Sequence, residues 1–127
     1  MARLPSKELT ERELEIMHVF WHHGELGVQE VRNTLANAGL DRAYTTVATL
    51  VRILFDKGYI EQINEQRPFR FRAVRSYEKV SSSLLTDLIE RVFHGSREQL
   101  LVRLAEQKKL TAKERAVLEK LLKEQKR

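Results

Sequence analysis

Three groupings in this sequence carry side chains that could do chemistry together. The first is His18 and His22, one helical turn apart, with His23 beside them. Two imidazoles at i and i+4 can share a zinc ion. A metalloprotease helix also needs a glutamate directly after its first histidine, where Val19 stands, and no third ligand follows at a convincing spacing. A helix end at which protonated imidazoles meet the negative pole of the helix dipole accounts for the cluster without metal. The second grouping, Ser81-Ser82-Ser83, lies in a leucine-patterned helical stretch with no histidine and aspartate set to activate a hydroxyl. The chain has no cysteine and no glycine-rich phosphate loop, which sets aside thiol catalysis, thiolate metal sites and disulfides. Neither an enzyme nor a cofactor or metal site is expected; a small metal-dependent enzyme would need the histidines to hold zinc.

The third grouping suits a different chemistry. In Ala43-Tyr44-Thr45-Thr46-Val47-Ala48-Thr49, small neutral side chains occupy what reads as the start of a helix. Projected at about 100° per residue, Thr45, Ala48, Thr49, Arg52 and Asp56 fall opposite the apolar positions. A solvated helix face more often carries Glu and Lys, which favour both helix and solubility. Threonine hydroxyls donate to phosphates or accept from base edges, and their methyls, with Ala48, fit thymine C5-methyls. Tyr44 suits either a phosphate or the core. Downstream, Arg67 stands between two short extended stretches, and Arg70 and Arg72 alternate with Phe69, Phe71 and Ala73. Those two arginines read as nucleic-acid contacts or as the solvent face of a strand.

The elements that must position these residues are well punctuated. Thr10-Glu11-Arg12-Glu13 is a capping box opening a helix with Ile16, Val19 and Phe20 on its apolar stripe and Leu14, Met17 and Trp21 alongside, stopped at Gly24. A second helix runs from Gly27 to about Asn37, ended by Gly39. A third, with Asp41 as its expected cap, places Val47, Leu50, Val51, Leu54 and Phe55 on one face and closes at Gly58. The period then changes to two, over Tyr59–Asn64 and Phe69–Ala73, a hairpin with Pro68 at its turn or strand start. From Ser76 onward the pattern is helical again. One long helix runs to Gly95, and two further capping boxes follow, at Ser96–Gln99 and Thr111–Glu114.

At 127 residues, with 42% hydrophobic and 32% charged residues, the composition is that of an ordinary globular chain. No apolar run approaches the roughly 20 residues of a membrane span, and the first residues lack a signal core, so a cytoplasmic protein without membrane insertion is expected. The formal charge of +5 is unevenly placed: negative from Met1 to Asp41, positive from Arg42 to Val74, and positive again in the tail. A basic middle segment is what a nucleic-acid surface needs, although surface charge also varies without function.

The fold class is therefore mainly α with a small antiparallel β-hairpin: a winged helix-turn-helix over 1–75 followed by a helical region over 76–127. A helix-turn-helix lays its second helix in the major groove while flanking elements hold phosphates. The rival reading is a winged-helix module whose threonine-rich helix binds a protein. In the tail, Leu84, Leu88, Val92, Leu101, Leu104, Leu118 and Leu121 offer more apolar surface than so short a segment can cover, which marks a dimer interface.

Leu9-Thr10-Glu11-Arg12-Glu13-Leu14-Glu15-Ile16-Met17, Val19-Phe20-Trp21, Val28-Gln29-Glu30-Val31 and Ala43 to Leu50 through Lys57-Gly58 together resemble the penicillinase-repressor family of bacterial transcription regulators, the BlaI/MecI/CopY kind. The resemblance implies a homodimeric repressor of a palindromic double-stranded DNA operator, released by an inducing signal. Thr45, Thr46 and Thr49 match its recognition-helix contact positions and Arg67 its wing. The DNA-facing set is then Arg42, Ala43, Tyr44, Thr45, Thr46, Thr49 and Arg52, with Arg67 and Arg70 on the wing. Antibiotic-responsive members are cut at an Asn-Phe bond after a membrane sensor protease signals; the matching pair here is Arg103-Leu104. Copper-responsive members use a C-terminal cysteine pair, which this chain lacks.

Overall fold

A carboxylate set the first helix in place. In the computed structural model, which describes residues 8–125, helix α1 spans Glu11–His23 behind the N-cap Thr10. The stretch read above for a signal core, 1–7, lies outside the described residues. Thr10 Oγ1 accepts from the Glu13 amide at 3.2 Å and Glu13 Oε1 accepts from the Thr10 amide at 2.9 Å, completing the capping box. The Glu13 carboxylate is also fully buried, at 1% exposure. Lys57 answers it: Nζ donates to Oε1 at 2.9 Å, to Oε2 at 2.8 Å and to the Glu8 carbonyl at 2.9 Å, which uses all three ammonium protons.

After α1 come strand β1 (Leu26–Gly27) and helices α2 (Val28–Asn37) and α3 (Tyr44–Asp56). Strands β2 (Ile60–Gln62) and β3 (Arg70–Ala73) follow, then helices α4 (Tyr77–Val92), α5 (Arg97–Gln107) and α6 (Ala112–Glu124). Helices α2 and α3 end alike. Gly39 and Gly58 take φ of +86° and +82°, and the next amide, of Leu40 or Tyr59, reaches back to Leu35 or Leu54 at 2.9 and 3.0 Å. Both are Schellman stops, which turn the chain sharply into the following segment.

The apolar stripes meet as their spacing requires. Ile16, Met17, Val19 and Phe20 of α1, Val31 and Leu35 of α2, and Val47, Val51 and Leu54 of α3 form one core, closed by Leu26, Tyr59, Ile60, Phe71 and Val80. Three features depart from the sequence expectation. Ala43 caps α3, without a side-chain bond, and Asp41 is exposed on the extended approach to it. Phe55 is 43% exposed and meets Phe71 edge-on at 6.1 Å, because the last turn of α3 passes beyond the core to where the hairpin crosses. The hairpin also gains a third strand, in the order β1-β3-β2, all antiparallel, pairing Leu26 with Phe71 and Gly27 with Arg70. Two residues leading straight into a helix are too short to show an alternating pattern. Gly27 is needed there for proximity: a Cβ would stand 3.3 Å from the Phe69 carbonyl oxygen.

Two compact units divide the chain, Met1–Ser81 and Ser82–Arg127. The division falls beyond residue 75 because the segment after β3 belongs to the first unit: the Trp21 indole donates to the Arg75 carbonyl at 2.9 Å, and Val80 enters the core. In the second unit, Ser96 and Thr111 cap α5 and α6, with Thr111 making both halves of its box. No described residue of α5 or α6 is buried.

Removing the ammonium from the buried pair strands a carboxylate. Lys57→Met should cost about 3–5 kcal/mol of unfolding free energy, read by urea denaturation. The pair also sets an acid limit. Burial pushes the Glu13 carboxyl up, but the hydrogen bonds from Lys57 and Thr10 together hold it below its ordinary 4.5. The native state then binds fewer protons than the unfolded one, so this stabilisation is complete above pH 4.5 and lost as pH falls through the lowered value. Glu13→Gln should be less stable at neutral pH, and its stability should fall less steeply below that point.

Candidate nucleic-acid interface

Helix α3 is tied to α1 beyond both of its ends. Past its C-terminus stands the Lys57–Glu13 pair. Before its N-terminus, Arg42 Nη2 donates to both carboxylate oxygens of Glu15 at 3.0 and 3.2 Å, while Arg32 Nε donates to the Arg42 carbonyl at 3.1 Å. These ties leave the opposite face of α3 outward. Tyr44, Thr45, Thr46, Thr49 and Arg52 are all exposed there. The Thr49 hydroxyl donates to the Thr45 carbonyl at 2.9 Å, so its oxygen keeps its capacity to accept.

The head of α3 differs from that of every other helix described. The first turns of α1, α2, α4, α5 and α6 each contain a glutamate; that of α3 contains no acid, and its cap offers no side-chain acceptor. An approaching anion therefore meets unopposed amide dipoles.

The wing is shaped by a residue that sequence reasoning missed. Asn64 Oδ1 accepts from the Arg70 amide at 2.7 Å, and Nδ2 donates to the carbonyls of Gln66 at 3.0 Å and Pro68 at 3.1 Å. Arg67 lies in this loop with its guanidinium 5.4 Å from the Phe69 ring centroid. Arg70 bonds the Glu30 carboxylate and, at 2.8 Å, the Glu25 carbonyl. Arg72 meets Glu61 across the ladder at 2.5 Å. Glu30 also accepts from the Gly27 amide at 3.1 Å; that amide and Arg70 hold its carboxyl below the usual value.

Between α3 and the wing runs an open groove of about 1010 Å³. It is lined by Tyr44, Ala48, Thr49, Arg52, Phe55 and Asp56 from α3, by Arg67 to Phe71 with Gln62 from the wing, and by Gly27 to Glu30 at the start of α2. Tyr44, Thr49, Arg52, Arg67 and Arg70, far apart in sequence, thus share one surface. Ala43, Thr45 and Thr46 sit exposed at the head of α3, outside that lining, and Arg42 is turned to Glu15. The α2 start and Phe55 were not foreseen. Glu30, three residues after Gly27, was the one available signal, the acidic half of a cap.

Elsewhere, His18 packs edge-on to Trp21 at 5.3 Å and 6.1 Å from Tyr77, and His22 and His23 stand 6.5 Å apart. Among the described residues no three His, Cys, Asp or Glu side chains are grouped to hold a metal, and no helix is long and apolar enough to cross a membrane. The Arg103–Leu104 bond lies inside α5.

The family model for the penicillinase repressor matches residues 9–124. The chain belongs to the penicillinase-repressor family. The transcriptional regulator BlaI of two Mycobacterium tuberculosis strains is 32% identical over 108 residues, covering 84% of this chain and 76% of the relative. The solution structure of the DNA-binding domain of the repressor BlaI superposes with a TM-score of 0.51 at 25% identity, over 57% of this chain and 88% of that domain. This penicillinase-repressor relative is thus a transcriptional regulator with a winged-helix fold, in a family of repressors rather than enzymes. Among the described residues, six helices with a small antiparallel sheet are its realised fold class.

Asn64→Ala would remove the acceptor for the Arg70 amide and both loop donors. Because the wing tip is solvated, global stability should change by no more than about 1–2 kcal/mol. Amide hydrogen exchange across 64–70 should accelerate while α1 and α3 stay protected, a pattern measurable by NMR.

Proposed function

We propose that the chain is a homodimeric repressor that binds a palindromic double-stranded DNA operator, with α3 in the major groove and the wing on the flanking backbone. The observation that carries this is the shared groove: Thr49 and Arg52 of α3 and Arg67 of the wing border it together, and the head of α3 is free of acids. Tyr44, Thr45, Thr46 and Thr49 face the duplex, and Ala43 lets a phosphate approach the first amides of α3. Arg52, whose side chain is 84% exposed, and Arg67 meet phosphates. Arg42 acts from behind, through Glu15.

The tail supplies the second copy. Leu84, Leu88, Val92, Leu101, Leu104, Leu118 and Leu121 are between 39% and 60% exposed, and no described residue of α5 or α6 is buried within the chain. A two-fold pair of such tails covers these faces and presents two α3 helices to half-sites about one helical turn, or a multiple of it, apart. Release by an inducing signal follows from any event that separates the copies. A membrane sensor protease acting at Arg103–Leu104 would first have to open α5, since proteases take their substrates extended.

Thr49→Ala should change sequence preference by about 1–3 kcal/mol at one base pair. Arg67→Ala should weaken all sequences alike and flatten the slope of log affinity against log salt by about 0.9. Titrations at several salt concentrations check both; unchanged binding in the two variants would remove this surface from the interface, and a shallow slope in the wild type would favour a protein partner.

A fragment ending at Ser81 retains Trp21, Tyr77 and Val80 of the first unit. It should sediment as a folded monomer and lose the gain in operator affinity that tethering two sites provides. A dimeric fragment would place the interface elsewhere.

A further inference from the structure

We propose that Arg70 is a positioning residue rather than a phosphate ligand, and that Glu30, by holding Arg70, limits the affinity of this surface for DNA. The proposal rests on the reading of α3 and the wing as the DNA-binding face.

Its starting point is how the cations of that face are partnered. Arg70 has one terminal nitrogen on the Glu30 carboxylate and the other on the Glu25 carbonyl. Glu30 is fixed in turn by the Gly27 amide, in the backbone register where Gly27 pairs with Arg70. Three elements thus meet in one knot: β3, the first turn of α2 and the residue before β1. That knot ties the wing to the start of α2, which lines the same groove. Arg52, by contrast, lies 4.0 Å from Asp56, outside hydrogen-bond reach, with both side chains well exposed. Arg67 rests its guanidinium against the Phe69 ring, which leaves its donors to phosphates.

Charge decides what this means for binding. A guanidinium already neutralised by a carboxylate releases few DNA counterions when a phosphate arrives, and salt dependence follows counterion release. The Glu30 carboxylate lines the same groove as Arg52 and Arg67, so it also repels a phosphate entering there. Its hydrogen bonds with the Gly27 amide and Arg70 favour the ionised form. The outcome is a wing held in place at the expense of one cation, which tempers sequence-independent binding more than base reading.

The test is the salt dependence of operator binding by the full chain and its variants, each checked for an unchanged thermal transition. Arg70→Met, which leaves the Glu30 carboxylate unneutralised in the groove, should weaken binding several-fold, most at low salt, and flatten the slope. Glu30→Gln, which keeps an oxygen for the Gly27 amide, should steepen the slope by about 0.9 and raise affinity most at low salt. Combining the two should restore the wild-type slope. Arg67→Ala, flattening the slope, serves as the control for the interface itself. A slope in the double variant flatter than that of the wild type, with wild-type binding and the Arg67 control intact, would overturn the proposal alone. An unchanged slope in Glu30→Gln would overturn it as well. Absence of salt-dependent binding by the wild type would overturn the DNA-binding reading and this proposal together.

Discussion

The buried ion pair between Glu13 and Lys57 is the constraint on which the arrangement of the winged unit depends. It joins residues 44 apart in sequence, and it joins a local motif to a long-range one. Glu13 is first a helix cap, made by four consecutive residues. The same carboxylate then fixes the residue that ends α3. A buried carboxylate without a cation would be costly, so the C-terminal end of α3 stays beside the start of α1. Arg42 and Glu15 make a second, half-buried tie ahead of the N-terminal end. With α3 tied in front and behind, its threonine face is turned outward by the same contacts that complete the core.

The basic residues of the middle segment divide by partner. Lys57, Arg42, Arg70 and Arg72 are each met by a carboxylate and hold elements together. Arg52 and Arg67 are held only loosely and border the groove. The positive charge of this stretch, taken whole, therefore overstates what is available to a polyanion. Most of it braces the helix and the wing that present the remaining cations.

Much of this was legible in the sequence where the physics is local. The capping boxes at Thr10 and Thr111, the glycine stops after α2 and α3, the apolar stripes and the Phe69–Phe71–Ala73 alternation all declare themselves within a few residues. The outward threonines followed from helical geometry alone. What escaped depends on partners distant in the chain. Arg42 and Arg70 read as free cations because Glu15 and Glu30 lie 27 and 40 residues away. Asp41 was the better cap by residue type, yet the Arg42 bonds to Glu15 accompany a helix start two residues later. Phe55 fits the helical stripe but overhangs the core. Strand β1 exists only because β3 lies beside it, and Asn64 shapes the wing through contacts that no short motif encodes.

The central claim is that one surface, made by the outer face of α3 and the wing, meets the duplex. Titrating operator DNA into isotope-labelled full-length protein and following its backbone amides by NMR addresses this directly. The account predicts perturbations concentrated at 43–52 and 64–70, with α1 and the exposed faces of α5 and α6 little affected. Perturbations centred on the exposed side of α1 or on the tail helices, with α3 and the wing unmoved, would contradict it.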